Sequence, residues 1–169
     1  MNRRFALCAV LLCMTSAVAF GQQVSVNFNR SVSFAPYHTY AWGASNANEI
    51  KNSILAQNAQ GDVNTALQSK GLRMVQESEM PDLLLTVSGG LKQTTSWSAM
   101  GMRGIGGGFG SITPQQNVEG TMIVELFDAK TQSIVWRGIA QDTLSNNGEK
   151  NTKTVANAVN KMFKQWPKT

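Results

Sequence analysis

Apolar and polar residues alternate with period two from the first residues after position 21. Val24, Val26 and Phe28 interleave with Ser25 and Asn27, and Val32 and Phe34 interleave with serines. This is the pattern of strands with one face buried, and it predicts a first hairpin or one bent strand. Ala35-Pro36 interrupts the chain, and Tyr37 to Trp42 is an aromatic, β-favouring segment that predicts another strand or extended edge. The period then changes. From about Glu49 to Lys70, Leu55, Ala59, Val63, Ala66 and Leu67 fall at helical spacing, and Gly71 stands where a left-handed residue would close the helix. Ile50 and Ile54 are out of phase with that stripe, and Gly61 weakens its first half.

Leu72 to Val75 is a short strand, and Pro81 introduces Asp82 to Val87, an apolar run expected to be buried on both faces and central in its sheet. From Gly89 the texture changes: Lys92 to Ser98 is polar and extended, and Gly101 to Gly110 holds six glycines, too many for a regular element. Met122, Val124 and Leu126 alternate with Ile123, Glu125 and Phe127, and a turn over Asp128 to Gln132 leads into Ile134-Val135-Trp136, a clear hairpin. The last element is a helix. Val155, Val159, Met162, Phe163 and Trp166 cluster on one side at 100° per residue, Lys150, Lys153, Lys161, Lys164 and Lys168 lie opposite, and Pro167 ends it. These elements predict an α+β two-layer sandwich, with a mixed, mostly antiparallel sheet and two helices packed on one face. One domain is expected over residues 22–169, with a Gly-rich loop at 99–112.

The N-terminus changes the picture of where this domain works. Arg3 and Arg4 precede an apolar run from Phe5 to Met14 and then small residues, which is the pattern of a secretory signal over residues 1–21. Cleavage is expected after Gly21, with the site after Ala19 as the alternative. The apolar run is shorter than the roughly 20 residues of a spanning helix. Both cysteines, Cys8 and Cys13, lie in this segment, so an exported chain retains no thiol for a disulfide, a metal or a nucleophile. Leucine precedes each of them where a lipid-attachment site has a small residue, which disfavours an outer-membrane lipid anchor. Loss of Arg3 and Arg4 takes the basic count from 15 to 13 against 10 acidic residues, and the net charge from +5 to +3. So mild a balance, with its lysines gathered on one helix, gives no reason to expect nucleic acid.

Candidate chemistry is sparse. His38 is the only histidine and has no cysteine to join it in a metal site or dyad. Asp82, Asp128 and Asp142 stand where aspartates serve turns and strand ends. The glycine run has no Gly-Lys-Ser/Thr ending and lacks the third glycine of a dinucleotide loop, so it reads as an excursion between strands. It also carries apolar side chains that a plain spacer would not need, and Trp97, Met100, Met102 and Phe109 are the candidate partner-binding residues. Trp42, Trp136 and Trp166 are expected in the core or over the sheet.

Three ordered stretches resemble the family called domain of unknown function 4136. They are Phe34 to Trp42, Pro81 to Leu85, and Gly120 through Asp128 with Val135 to Gly138; the end helix closing on Trp166-Pro167 fits as well. The resemblance implies an α/β fold and an envelope location, often with a lipid anchor for which this chain has no convincing attachment cysteine, and it supplies no activity or catalytic residue. The expectation for function is therefore a periplasmic or secreted protein, soluble after signal cleavage, acting as a non-enzymatic binding or assembly-accessory module. It needs no cofactor, and its partner would be an envelope protein, a membrane face or another copy of itself. The alternative is a hydrolase or transferase acting on an envelope polymer through an unrecognised carboxylate site.

Overall fold

The computed structural model describes residues 22–43, 53–100 and 111–167. The predicted signal, its cysteines, Ile50, Lys168 and the glycine run 101–110 lie outside the described residues. Six strands and two helices follow in the order β1 (Gln23–Phe28), β2 (Thr39–Trp42), α1 (Ser53–Ser69), β3 (Arg73–Met74), β4 (Leu83–Met100), β5 (Ser111–Asp128), β6 (Ile134–Leu144) and α2 (Gly148–Phe163). The sheet order is β1-β6-β5-β4-β2-β3. β2 pairs in parallel with both β3 and β4, and the other ladders are antiparallel. The expected mixed α+β sheet with two helices is the one observed.

α1 ends as its sequence predicts. Gly71 has φ +87°, Gly71 N–H donates to the Gln68 carbonyl and Leu72 N–H to the Leu67 carbonyl, a paired closure that needs a left-handed residue at that point. It turns the chain so that Leu72 joins Leu67 in the core. α2 starts at Asn147, whose side chain accepts from Lys150 N–H. It packs on the sheet at Gly138. A Cβ there would stand 2.7 Å from both the Trp136 ring and the Met162 sulfur, so only glycine permits this approach of helix to strand.

The core lies between the helices and one sheet face. Val63 and Leu67 of α1 and Val159, Met162 and Phe163 of α2 meet Tyr40, Leu83, Leu85, Val124, Leu126 and Trp136. Ile54 is exposed, as its phase predicted. Four expectations need correction. The Val24–Phe34 segment is not a hairpin, because Ser31 N–H bonds the Asn29 side chain and turns the chain, leaving β1 to pair with β6. Leu83 to Val87 is internal in the sheet but buried on one face only: Leu83, Leu85 and Val87 face the helices, while Leu84 and Thr86 are half-buried on the face without helices. α2 stops at Phe163, so Trp166 packs from beyond the helix end, against Phe34, Trp136 and Phe163. Finally, β4 and β5 remain in register out to Met100 opposite Ser111, so strand takes up both ends of the expected 99–112 loop.

Candidate functional site

The long β4–β5 hairpin is the part of the fold that the core does not explain. β2 accompanies β4 only from Leu83 to Leu85, and β6 accompanies β5 only from Val118 inward. Beyond those points the two strands pair, among the described residues, with each other alone, as a two-stranded ribbon through residues 94–100 and 111–117. Where burial is described in it, at Thr94, Thr95, Gln116 and Asn117, no residue is buried. Isolated ribbons of this kind are marginal in water and present unpaired backbone groups along both edges. Trp97 stands opposite Pro114 and Met100 opposite Ser111, so these two candidate residues sit in a strand and not in a loop. Met102 and Phe109 lie outside the described residues.

An apolar cleft opens at the root of the ribbon. Leu55 and Ala59 of α1, Val155 of α2, and Leu91, Met122 and Leu144 of the sheet line a cavity of about 70 Å³. That is under half the roughly 150 Å³ of an engineered apolar cavity that takes benzene, which is room for a side chain. Leu91 on its rim is 50% exposed. Gln22 closes one wall: its amide donates to the Thr154 carbonyl at 2.8 Å, while its buried Oε1 has no partner among the described residues.

The carboxylates expected at turns and strand ends are found there. Asp82 Oδ2 accepts from His38 N–H, Thr39 N–H and Thr39 Oγ1, each at 2.9 Å, and clamps the start of β2 to the start of β4. Burial alone would raise its pKa, but these bonds and the nearby His38 hold it below the usual carboxylate value. Asp128 organises the β5–β6 turn by accepting from Lys130 and Thr131 N–H, and its other oxygen accepts from Tyr37 OH at 2.9 Å. The Thr131 bond leads in lowering its pKa against the effect of burial. Tyr37 is pushed up to about 12, by burial first and then by that bond to Asp128. Both aspartates sit at one end of the sheet, yet each is committed to holding backbone, and a carboxyl held low cannot act as a proton donor near neutral pH. Asp142 accepts from Thr143 N–H, and His38 is exposed.

Two polar positions on α1 had no signal in the sequence. Asn64 Oδ1 accepts from both Tyr40 OH and Trp42 Nε1 at 3.1 Å, tying helix to sheet. Asp62 is raised by burial, and its Oδ2 has no partner among the described residues. No group of three or more His, Cys, Asp or Glu gathers among the described residues in a way that would hold a metal. No helix among them is long and apolar enough to cross a membrane.

Comparison with known proteins bears on the fold. No curated protein matches the chain. A PDZ domain protein from Parabacteroides distasonis ATCC 8503 is similar in structure with TM-score 0.56 and 16% identity, over 88% of this chain and 37% of the other, so the chain spans about a third of that protein. A DUF4136 family protein from Bacteroides thetaiotaomicron VPI-5482 gives TM-score 0.52 and 15% identity over 85% and 95% of the two chains. The PelC dodecamer from Paraburkholderia phytofirmans gives 0.47 and 14% over 84% and 98%. The sequence pattern of the domain of unknown function DUF4136 matches residues 24–168, nearly all of the described fold, and the chain belongs to that family.

Proposed function

We propose that this protein is exported to the cell envelope and works there as a non-enzymatic binding or assembly-accessory module, with the β4–β5 ribbon as its contact element. The observation that carries this reading is the ribbon itself, a long and regular strand pair with no third strand beside it among the described residues. A two-stranded ribbon of this kind is only marginally stable by itself, so its value lies in what it touches. The carboxylates support the same reading, because Asp82 and Asp128 are occupied by backbone and depressed in pKa. Export rests on the basic, apolar and small-residue order of residues 1–21.

Replacing Gly101 to Gly110 with a short Gly-Ser linker is expected to leave the urea midpoint near that of the parent and to abolish capture of a partner in pull-downs from envelope extracts. Unfolding of that variant would make the segment part of the core and remove the binding role. Intact mass of protein recovered from the periplasm is expected to begin at Gln22, or at Phe20 if the earlier site is cut. A diacylglycerol adduct on Cys13 would replace the soluble reading with an anchored one.

A further inference from the structure

We propose that the exported chain begins at Phe20 and that the Phe20 ring seats in the apolar cleft, which makes the cleft a socket for the protein's own N-terminus. This rests on the export reading above and goes further by choosing between the two cleavage sites and naming what fills the cleft. The first observation is an unfinished sheet edge. β6 is paired with β5 through Leu144, opposite Val118, but its ladder with β1 stops at Gln141, opposite Gln23. Asp142, Thr143 and Leu144 therefore have no strand on their outer side among the described residues, and the chain that leads into β1 is continuous with that side.

Register and parity then fix where Phe20 falls. Continued past Gln23, the antiparallel register sets Gln22 opposite Asp142, Gly21 opposite Thr143 and Phe20 opposite Leu144. Val24 and Val26 are half-buried and pack on the core, while Gln23, Ser25 and Asn27 are exposed. Gln22 keeps that alternation, because its amide reaches the Thr154 carbonyl of α2 at 2.8 Å. Side chains two apart in a strand share a face, so Phe20 falls on the helix-facing side, about 7 Å beyond Gln22. The cleft lies on that side: Gln22 and Leu144 line it together with Leu55, Leu91 and Val155.

The cleft suits this occupant in size and chemistry. Its volume of about 70 Å³ is room for one side chain, and aliphatic side chains from both helices and the sheet make its walls. Leu144 leans inward over Gly120, where a Cβ would stand 3.0 Å from its Cδ1, and leaves its outer flank to a neighbour. The position of the new terminus points the same way. A cut after Gly21 puts the α-ammonium on Gln22, itself a residue of the cleft wall, where a charge is poorly solvated. A cut after Ala19 carries that charge two residues outward and sets an aromatic ring beside the cleft instead. Ala17-Val18-Ala19 satisfies the small-x-small pattern as well as Ala19-Phe20-Gly21 does, so the leader permits the earlier cut.

The test uses the full chain, exported and recovered from the periplasm, with the intact mass read for every variant. The parent is expected to begin at Phe20. Phe20→Ala is expected to lower the urea midpoint by roughly 1 M, and Phe20→Leu, which keeps apolar bulk, by less than half as much. Ser25→Ala, on the exposed side of β1, is expected to leave it unchanged. A variant processed to Gln22 has lost Phe20 altogether and is expected to show at least the Phe20→Ala loss. Phe20→Cys combined with Leu144→Cys is expected to close into an intramolecular disulfide under mild oxidation, and Phe20→Cys with Ser25→Cys is expected not to. Parent protein that begins at Gln22 overturns the proposal and leaves export standing, whereas protein that keeps residues 1–19 overturns both. An unchanged midpoint in Phe20→Ala, or no disulfide in the Leu144 pair, also overturns it. So does an acyl chain recovered in stoichiometric amount by solvent extraction, or a dimer that Leu91→Glu dissociates, either of which gives the cleft a different occupant.

Discussion

Phe163→Ala is expected to lower the unfolding free energy by about 3 to 5 kcal/mol, while Lys161→Ala, two residues away, changes it by less than about 0.5 kcal/mol. The contrast follows from one helix face meeting the sheet. Phe163 is 3% exposed, and its ring stacks on Trp136 at 4.9 Å and on Trp166 at 5.8 Å between centroids. Truncation leaves a hole between two large rings that cannot both move into it, because Trp136 is pinned beneath α2 at Gly138. Lys161 faces water. Urea denaturation of the two variants measures both effects, and small, equal changes would mean that α2 is not docked on the sheet.

Asp82→Ala is expected to cost about 1.5 to 3 kcal/mol at pH 7, the range for hydrogen bonds to a charged group. The change removes the three bonds that the Asp82 carboxylate accepts at the start of β2, leaving there the Asp82 N–H bond to Thr39 Oγ1 and a three-residue ladder with β4. The pH dependence has a fixed sign. The folded pKa lies below that of the unfolded chain, about 3.9, so the stabilisation is complete above that value and is lost as pH falls through the folded value. Parent and variant should therefore converge in urea midpoint between neutral pH and about pH 2, with the parent falling further. Asp128, also held low, remains in both proteins and affects them alike. A gap that stays constant down to pH 2 would show that the carboxylate's charge has no part in the clamp.

What was legible in the sequence was whatever a local period or a single residue determines. α2 could be read because its apolar and lysine faces separate at helical spacing, and the end of α1 because Gly71 alone among its neighbours tolerates a positive φ. The β5–β6 hairpin and the structural use of Asp82 and Asp128 were legible for the same reason. Tertiary decisions were not. The alternation through Val32 and Phe34 shows which side is buried, but those residues reach the core from a turn, where Phe34 meets the Trp166 ring edge-on at 5.3 Å. The continuous run from Leu83 to Leu85 suggests two covered faces, but both helices lie on one. Trp97 and Met100 read as loop residues because polar strands lack the contrast that marks a buried face, and only the unbroken register with β5 places them in a strand. The cleft, Asn64 and Asp62 depend on how two helices meet a sheet, which no spacing along the chain records.

The strand order sets the timetable by which this protein can fold. β1 is the first described element of the chain, and its ladder partner β6 is the last strand. A ribosome delivers the N-terminus first, so β1 must wait until nearly the whole domain has been synthesised before its edge of the sheet can close. Pairings between such distant segments carry a large loop-closure cost and fold slowly. On the export reading proposed above, that delay would be an advantage, because β1 cannot close its edge of the sheet before β6 has been made.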